Sequence, residues 1–196
     1  MDTEKIQIVE KPDWVSWDEI HDVLVKSHAQ NRLNGINMRK PSLPGEEIKK
    51  EIGDDGVMLV AMEGKKVIGT AALLTKSNHL WYSSKPYGYL CFASIFPEYT
   101  GRGIYGHLCN ERERIAIEKG LSGLYIDTHH NNTTVVKIAL QNGFHRVDVK
   151  SCKDHWNVVL FKWLNGCPYS DFRCWYEFHK RKLILKVKTK IKSIIK

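Results

Sequence analysis

The sequence predicts a mixed α/β sandwich built on one sheet, and three observations carry that prediction. The elements run in the order β-α-α-β-β-β-α-β-α-β-β. A hairpin and a third strand follow one another between Val57 and Phe96, which makes an antiparallel meander. A helix then opens directly on a cluster of glycines at 101–106, which places a loop of bare backbone at the edge of that meander.

Each element has a local reason. Lys5–Glu10 alternates apolar and polar residues through Ile6 and Ile8, the period of a half-buried strand. Ser16 with Glu19 three residues on is a capping box, and Ile20, Val23, Leu24 and Ser27 then share one helical face. Residues 29–45 are polar and irregular. Glu46–Ile52 is a short helix stopped at Gly53. Val57–Met62 and Val67–Thr75 flank the turn Glu63-Gly64-Lys65-Lys66 as a hairpin. A loop of Ser, Pro and aromatic residues (77–86) leads to the strand Tyr87–Phe96. The helix beginning near Gly103 runs to Lys119, with Tyr105, Leu108, Cys109, Ile115 and Ala116 inward and Glu111, Glu113, Arg114 and Glu118 outward. Leu124–Thr128 is a strand, Asn132–Asn142 a helix, and Phe144–Lys150 and Asp154–Trp163 the last two strands.

Of the 196 residues, 42% are apolar, enough for a core, and 30 Lys and Arg stand against 22 Asp and Glu. The positive excess has one address. Arg173 to Lys196 holds nine basic residues and one acidic, Glu177, so the body before it is neutral. We therefore divide the chain into a domain of residues 1–165 and a basic extension of residues 166–196. From Tyr176 onward Leu183, Ile184, Val187, Ile191, Ile194 and Ile195 fall on one helical arc with most lysines opposite. A strand reading also fits Leu183 to Ile191, where lysines alternate. Such a helix suits peripheral contact with an anionic membrane through residues 176–196, or docking on its own domain or a partner protein; an apolar arc does not suit nucleic acid. No basic and apolar leader opens the chain, and five cysteines without close pairs suit free thiols in a reducing, cytoplasmic setting.

The stretch Gly101-x-Gly103-x-x-Gly106 matches the letters of a dinucleotide fingerprint. That motif needs a tight strand-to-helix turn inside a parallel unit. Here Pro97 to Thr100 intervene and the preceding strands are antiparallel. What survives is the physics of an anion cradle, in which glycine-exposed amides meet the positive end of a helix macrodipole.

The residues Ala93-Ser94-Ile95-Phe96-Pro97-Glu98-Tyr99-Thr100-Gly101-Arg102-Gly103-Ile104 resemble motif A of the GNAT superfamily of acyl-CoA N-acyltransferases. Asn132 followed by Gly143-Phe144 resembles its motif B. The element order matches that fold from Ile6 to about Trp163. The resemblance implies acetyl transfer from acetyl-CoA, as co-substrate, to a primary amine of a small acceptor in a ternary complex. It implies that the loop Gly101, Arg102, Gly103, Ile104, Tyr105 and Gly106 anchors the pyrophosphate. The backbone of Ile95 and Phe96 would hold the thioester and pantetheine, and Asn132 would lie near the pantetheine arm. Two departures favour a rival reading, a non-catalytic acyl-CoA-binding module docked at a membrane or partner. Thr100 replaces the motif's leading Gln or Arg, and Ala139 stands where many relatives place a tyrosine as general acid.

For the acid–base work, alternation puts Tyr125, Asp127 and His129 on one strand face. His129 is the candidate base, oriented by Asp127. Tyr89 falls near the position of a catalytic carboxylate in some relatives. Residues 29–45 and the aromatics Trp81, Tyr82 and Tyr87 are the candidate acceptor pocket, for which an amino sugar would be a suitable ligand; the same aromatics would serve equally to cap the core. No metal-ligand spacing appears, and we assign no metal.

Overall fold

The computed structural model describes residues 6–33, 35–36 and 43–194. One seven-stranded sheet organises them, with strands in the spatial order β1-β2-β3-β4-β5-β7-β6. The strands are β1 (Gln7–Glu10), β2 (Val57–Glu63), β3 (Lys66–Lys76), β4 (Tyr87–Ile95), β5 (Gly123–His129), β6 (His145–Ser151) and β7 (Trp156–Trp163). All neighbours are antiparallel except β4 and β5. The helices are α1 (Trp17–Ser27), α2 (Ala29–Leu33), α3 (Gly45–Ile52), α4 (Ile104–Glu118), α5 (Thr133–Gln141) and α6 (Asp171–Ile194).

Most elements lie where the sequence pattern puts them. The capping box forms as expected, with Ser16 Oγ accepting from the Glu19 amide at 3.2 Å and Glu19 Oε2 accepting from the Ser16 amide at 2.9 Å. The short helix α2 lies in the segment expected to be irregular. Lys5 and residues 34 and 37–42 lie outside the described residues.

The inward face of α4 needs a correction. Its buried line is Ile104, Leu108, Arg112 and Ala116, spaced by four residues. Arg112 is 1% exposed, held by its Nε on the Leu108 carbonyl at 3.3 Å and its Nη2 on Cys109 Sγ at 3.3 Å, and bonded to the Tyr105 hydroxyl. A charged residue is read outward from sequence; here its long stem packs like an apolar chain while the guanidinium bonds within its own helix.

Helix α6 starts before the amphipathic arc and runs beside β6, the edge strand. Cys174 and Phe178 are buried, and Arg181 Nη1 meets Asp148 Oδ2 at 3.2 Å. Covering an edge strand with a helix hides its unpaired backbone from other chains. The opposite face stays in solvent, with Leu183 63%, Val187 50% and Ile191 49% exposed. Ile194 and Ile195, also expected on that arc, lie outside the side chains described. The helix, not the alternating strand, is what forms.

One half-buried histidine sets a pH dependence. His28 caps the C-terminus of α1 and its Nδ1 lies 3.0 Å from Asn31 Nδ2. Burial, and secondarily the Arg32 charge, bring its pKa down to about 4. The unfolded chain takes up this proton near pH ~6.5, the folded chain only near 4, so the unfolded state binds more protons in between. Stability is therefore complete above about pH 6.5, declines as pH falls towards 4, and levels below that. We expect the wild-type urea midpoint to fall more steeply across that window than that of His28→Gln. Parallel profiles would refute this origin.

Candidate active site

The site is made by two strands that part company. β4 and β5 pair over Gly88↔Leu124 and Tyr89↔Tyr125 only. Beyond Tyr89, β4 continues along β3 while β5 follows β7 as far as His129↔Asn157. The parting coincides with a bulge, where the register of β3 and β4 shifts between Thr70 and Ala72 and Phe92 takes φ +51°. Thr70 Oγ1 donates to the Phe92 carbonyl at 2.8 Å, occupying a group the bulge removes from the ladder. The result is a V-shaped opening between β4 and β5.

The open edge of β4 lies at Ile95. The Phe96 amide donates to the Ile68 carbonyl at 2.9 Å, and the Phe96 carbonyl accepts from the Tyr99 amide at 2.9 Å. Alternation in an antiparallel ladder turns the N–H and C=O of Ile95 the other way, into the opening. The backbone role expected of Phe96 is thus corrected, since both its groups are spent within the fold.

Below the opening, α4 presents its N-terminus. Gly101 and Gly103 adopt φ +79° and +77°, the left-handed conformation that lets the chain turn back on itself. Among the described residues no acceptor within the protein takes the amides of residues 101–106. Six amides at the positive end of a 15-residue helix are thus left without a protein acceptor, the kind of donor set an anion cradle needs. Ile104 contributes its amide alone, because its side chain is 2% exposed in the core. Arg102 stands at the rim with its guanidinium 4.8 Å over the Tyr99 ring and 3.9 Å from Glu63 Oε1. Tyr99 donates to Glu63 Oε2 at 2.6 Å and accepts from Lys66 Nζ at 3.3 Å, so the rim charges are tied together.

Above the opening, register places one polar face. Tyr89 opposes Leu74, Cys91 opposes Ala72 and Ser94 opposes Thr70, so all three point the same way despite the bulge. Tyr125, Asp127, His129, Asn157 and Lys150 share that face through the β4–β5, β5–β7 and β6–β7 pairings. Asp127 accepts from Tyr89 Oη at 2.8 Å, Lys150 Nζ at 3.1 Å and Asn157 Nδ2 at 3.3 Å, with its side chain 6% exposed. Burial first, and then the Asp127 charge, push the Tyr89 hydroxyl well above the usual phenol range, so it stays protonated and donating. Ser94 Oγ and Asn157 Oδ1 are buried on this face without a partner among the described residues.

The expected pairing of His129 with Asp127 does not form. His129 Nδ1 accepts the Asn131 amide at 3.1 Å, and its ring stacks on His130 at 4.6 Å and lies tilted against His155 at 4.4 Å. Burial, and then the neighbouring histidines, lower its pKa, so the ring is neutral. With Nδ1 accepting, the proton sits on Nε2 and no lone pair is left for a base. Asn132 stands at the start of α5. It caps α5, with Nδ2 on Thr128 Oγ1 at 3.1 Å and Oδ1 on the Val135 amide at 3.5 Å, and is 7% exposed. Tyr82 and Tyr87 are each 3% exposed and pack with Phe161, so they cap the core. Ala139 is buried in the core. Sequence reasoning missed Lys150 and Asn157, because only the neighbourhood of β6, β7 and β5 brings them to Asp127.

Comparison with known proteins decides the family. A family model described as the acetyltransferase (GNAT) family matches residues 17–144. The chain belongs to the GNAT acetyltransferase family. A search of curated proteins finds no match. Among solved structures the chain is similar to a GNAT family acetyltransferase from Elizabethkingia anophelis with acetyl-CoA bound, at 16% identity and TM-score 0.58, covering 84% of this chain and 100% of that one. A GNAT acetyltransferase from Staphylococcus aureus Mu50 gives 17% identity and TM-score 0.64 over 82% and 99% of the two chains. The PaiA N-acetyltransferase of Thermoplasma acidophilum in complex with coenzyme A gives 19% and 0.58 over 81% and 99%. These likenesses concern the fold, and the element order read from the sequence matches it.

The cradle makes a prediction of its own. No atom lies within 4 Å of a Cβ built on Gly103 or on Gly106, but only Gly103 has positive φ. Gly103→Ala should cost ~1–2 kcal/mol of backbone strain, lowering the melting temperature by about 2–8 °C. Gly106→Ala, in a helical turn, should not lower it. Equal loss in both variants would contradict the assigned conformations.

Proposed function

We propose that this GNAT-family chain moves an acetyl group from acetyl-CoA to the primary amine of a small acceptor by direct transfer in a ternary complex. The observation that carries the reading is the set of free amides at 101–106 beneath the open β4 edge. An acyl-CoA laid in the opening would rest its pyrophosphate on those amides, with Arg102 adding charge at the rim, and hold its thioester against the backbone of Ile95. The solved relatives with acetyl-CoA or coenzyme A bound support that choice of co-substrate.

The chemistry needs a neutral amine and a route for two protons. The amine nitrogen attacks the thioester carbon, the carbon–sulfur bond breaks, the nitrogen loses a proton and the departing thiolate gains one. Asp127 is the group we assign to draw the ammonium in and take its proton, directly or through water. Tyr89 positions that carboxylate by donating to its Oδ1. Lys150 balances its charge without displacing it. No side chain is assigned as acid for the thiolate, so water supplies that proton. The unpartnered Ser94 Oγ and Asn157 Oδ1 on the same face are the polar atoms we assign to the acceptor. With Tyr82 and Tyr87 in the core, the aromatic platform that suggested an amino sugar is no longer on offer, and the acceptor class we propose is a small primary amine.

We also propose where the enzyme works. Its five cysteines are free, which suits the reducing cytoplasm. No helix among the described residues is long and apolar enough to cross a membrane. The exposed face of α6 joins Phe172, Trp175, Tyr176, Leu183 and Val187 in one line, with basic residues flanking it. This is the composition of a helix that lies in an anionic lipid surface, so we assign it peripheral membrane contact.

Two measurements test these readings. Thiol release from acetyl-CoA across a panel of amines should find an acceptor, with Asp127→Asn lowering kcat about a hundredfold or more and Tyr89→Phe about tenfold, at little change in KM for acetyl-CoA. Coenzyme A binding without turnover on any amine would overturn the transfer reaction. Co-sedimentation with phosphatidylserine vesicles should fall at least about tenfold on truncation to residues 1–182, which keeps Cys174 and Phe178 in place. Equal binding by both forms would sink the membrane contact.

A further inference from the structure

Three metal-ligating side chains from separate parts of the chain meet beside the docked end of α6. His145 opens β6, Cys167 lies in the segment between β7 and α6, and Cys174 is in the first turn of α6. One ligand atom from each lies within 4.8 Å of the other two. Both cysteines are free thiols. The sequence shows no sign of this group, because His145 and Cys167 are 22 residues apart and the two cysteines are separated by six, outside the usual close spacing of zinc ligands.

We propose that His145, Cys167 and Cys174 form a zinc site that staples α6 to the sheet. Around a tetrahedral ion with Zn–S of ~2.3 Å and Zn–N of ~2.0 Å, neighbouring ligand atoms lie ~3.5–3.8 Å apart. The observed ligand atoms, within 4.8 Å of one another, lie close to that spacing. Two thiolates and an imidazole are a soft, nitrogen–sulfur donor set, which selects zinc over magnesium or calcium. Binding displaces one proton from each thiol to solvent, and the two thiolates neutralise the ion.

The surroundings support a built site. Asp171 Oδ1, on an exposed side chain, lies 3.4 Å from His145 Nδ1, in reach of the carboxylate–histidine arrangement that would leave Nε2 to an ion. The Trp163 ring stands 5.6 Å from the His145 ring, and Tyr169 packs on Trp163 at 5.7 Å, which walls the group on one side. Cys174 is 3% exposed, while Cys167 and His145 are half-buried, so an ion reaches the site from the surface. Water takes the fourth position. The consequence is mechanical. The ion ties the start of α6 to β6 independently of Phe178 and the Arg181–Asp148 pair, and so fixes which helix face looks outward.

The test uses the full chain, stripped of metal and kept in a phosphine reductant, titrated with Co²⁺ and then Zn²⁺. One equivalent of Co²⁺ should give a thiolate-to-cobalt charge-transfer band and the strong d–d bands of a tetrahedral site, both abolished by Zn²⁺. Saturating Zn²⁺ should raise the melting temperature by about 5–10 °C. Cys167→Ser should lose the charge-transfer band and His145→Asn should weaken binding about 10–100-fold, with circular dichroism showing each folded. Cys152→Ser, on the turn between β6 and β7, should behave as wild type. No thiolate band in the folded wild type would overturn the site. So would a band that survives in Cys167→Ser, or a Cys167–Cys174 disulfide in reductant-treated protein that takes up no metal.

Discussion

Everything in the site depends on the failure of β4 and β5 to stay paired. Two parallel strands that bonded along their length would leave no free edge, and the amides of the 101–106 loop would face a closed wall. The bulge at Phe92 prevents this. It shifts the β4 register by one residue against β3, which increases local twist and bends the strand away. β5 is then held by β7 over seven residue pairs, so it has no reason to follow. Between the strands, Ile95 keeps a backbone edge that no neighbour uses, and Asp127 is reached by Tyr89 across the apex.

The anion site we propose at residues 101–106 owes little to the protein's net charge. The body before residue 173 is neutral, and the rim cations Arg102 and Lys66 are bound up with Glu63 and Tyr99. What remains is a set of neutral amides at a helix terminus, pre-oriented by two left-handed glycines. Such donors hold a phosphate without the side-chain entropy a flexible lysine must lose. The basic residues sit elsewhere, on a helix whose two faces have separate work. Cys174, Phe178 and Arg181 close an edge strand, while the line from Phe172 to Val187 stays exposed.

The polar face over the opening shows why residue types alone mislead. Asp127 and His129 lie two residues apart on one strand face and read as an acid–base pair. In the fold, Asp127 leans to Tyr89, Lys150 and Asn157, whereas His129 packs against two histidines with its Nδ1 lone pair taken by Asn131. Same-face neighbours along a strand are farther apart than cross-strand partners, so the pairing of strands decides who meets whom. Arg112 makes the same point inside a helix. Its position on the inner line follows from spacing, but its charge argues outward, and the spacing prevails.

The sequence by itself determined the order of elements, the capping box of α1, the hairpin, the glycine cradle before α4 and the confinement of charge to the end of the chain. These are local: each is written in residues within a turn or two of one another, where propensity and periodicity act directly. Only the tertiary structure decided that Phe96 spends its backbone internally, that Tyr82 and Tyr87 are core, and that Lys150 and Asn157 join Asp127. It alone brought His145, Cys167 and Cys174 within reach of one another. The physical reason is reach along the chain. Phe96, Tyr82, Tyr87, Lys150 and Asn157 each meet partners in distant segments, and those meetings are set by strand order and register rather than by any local preference.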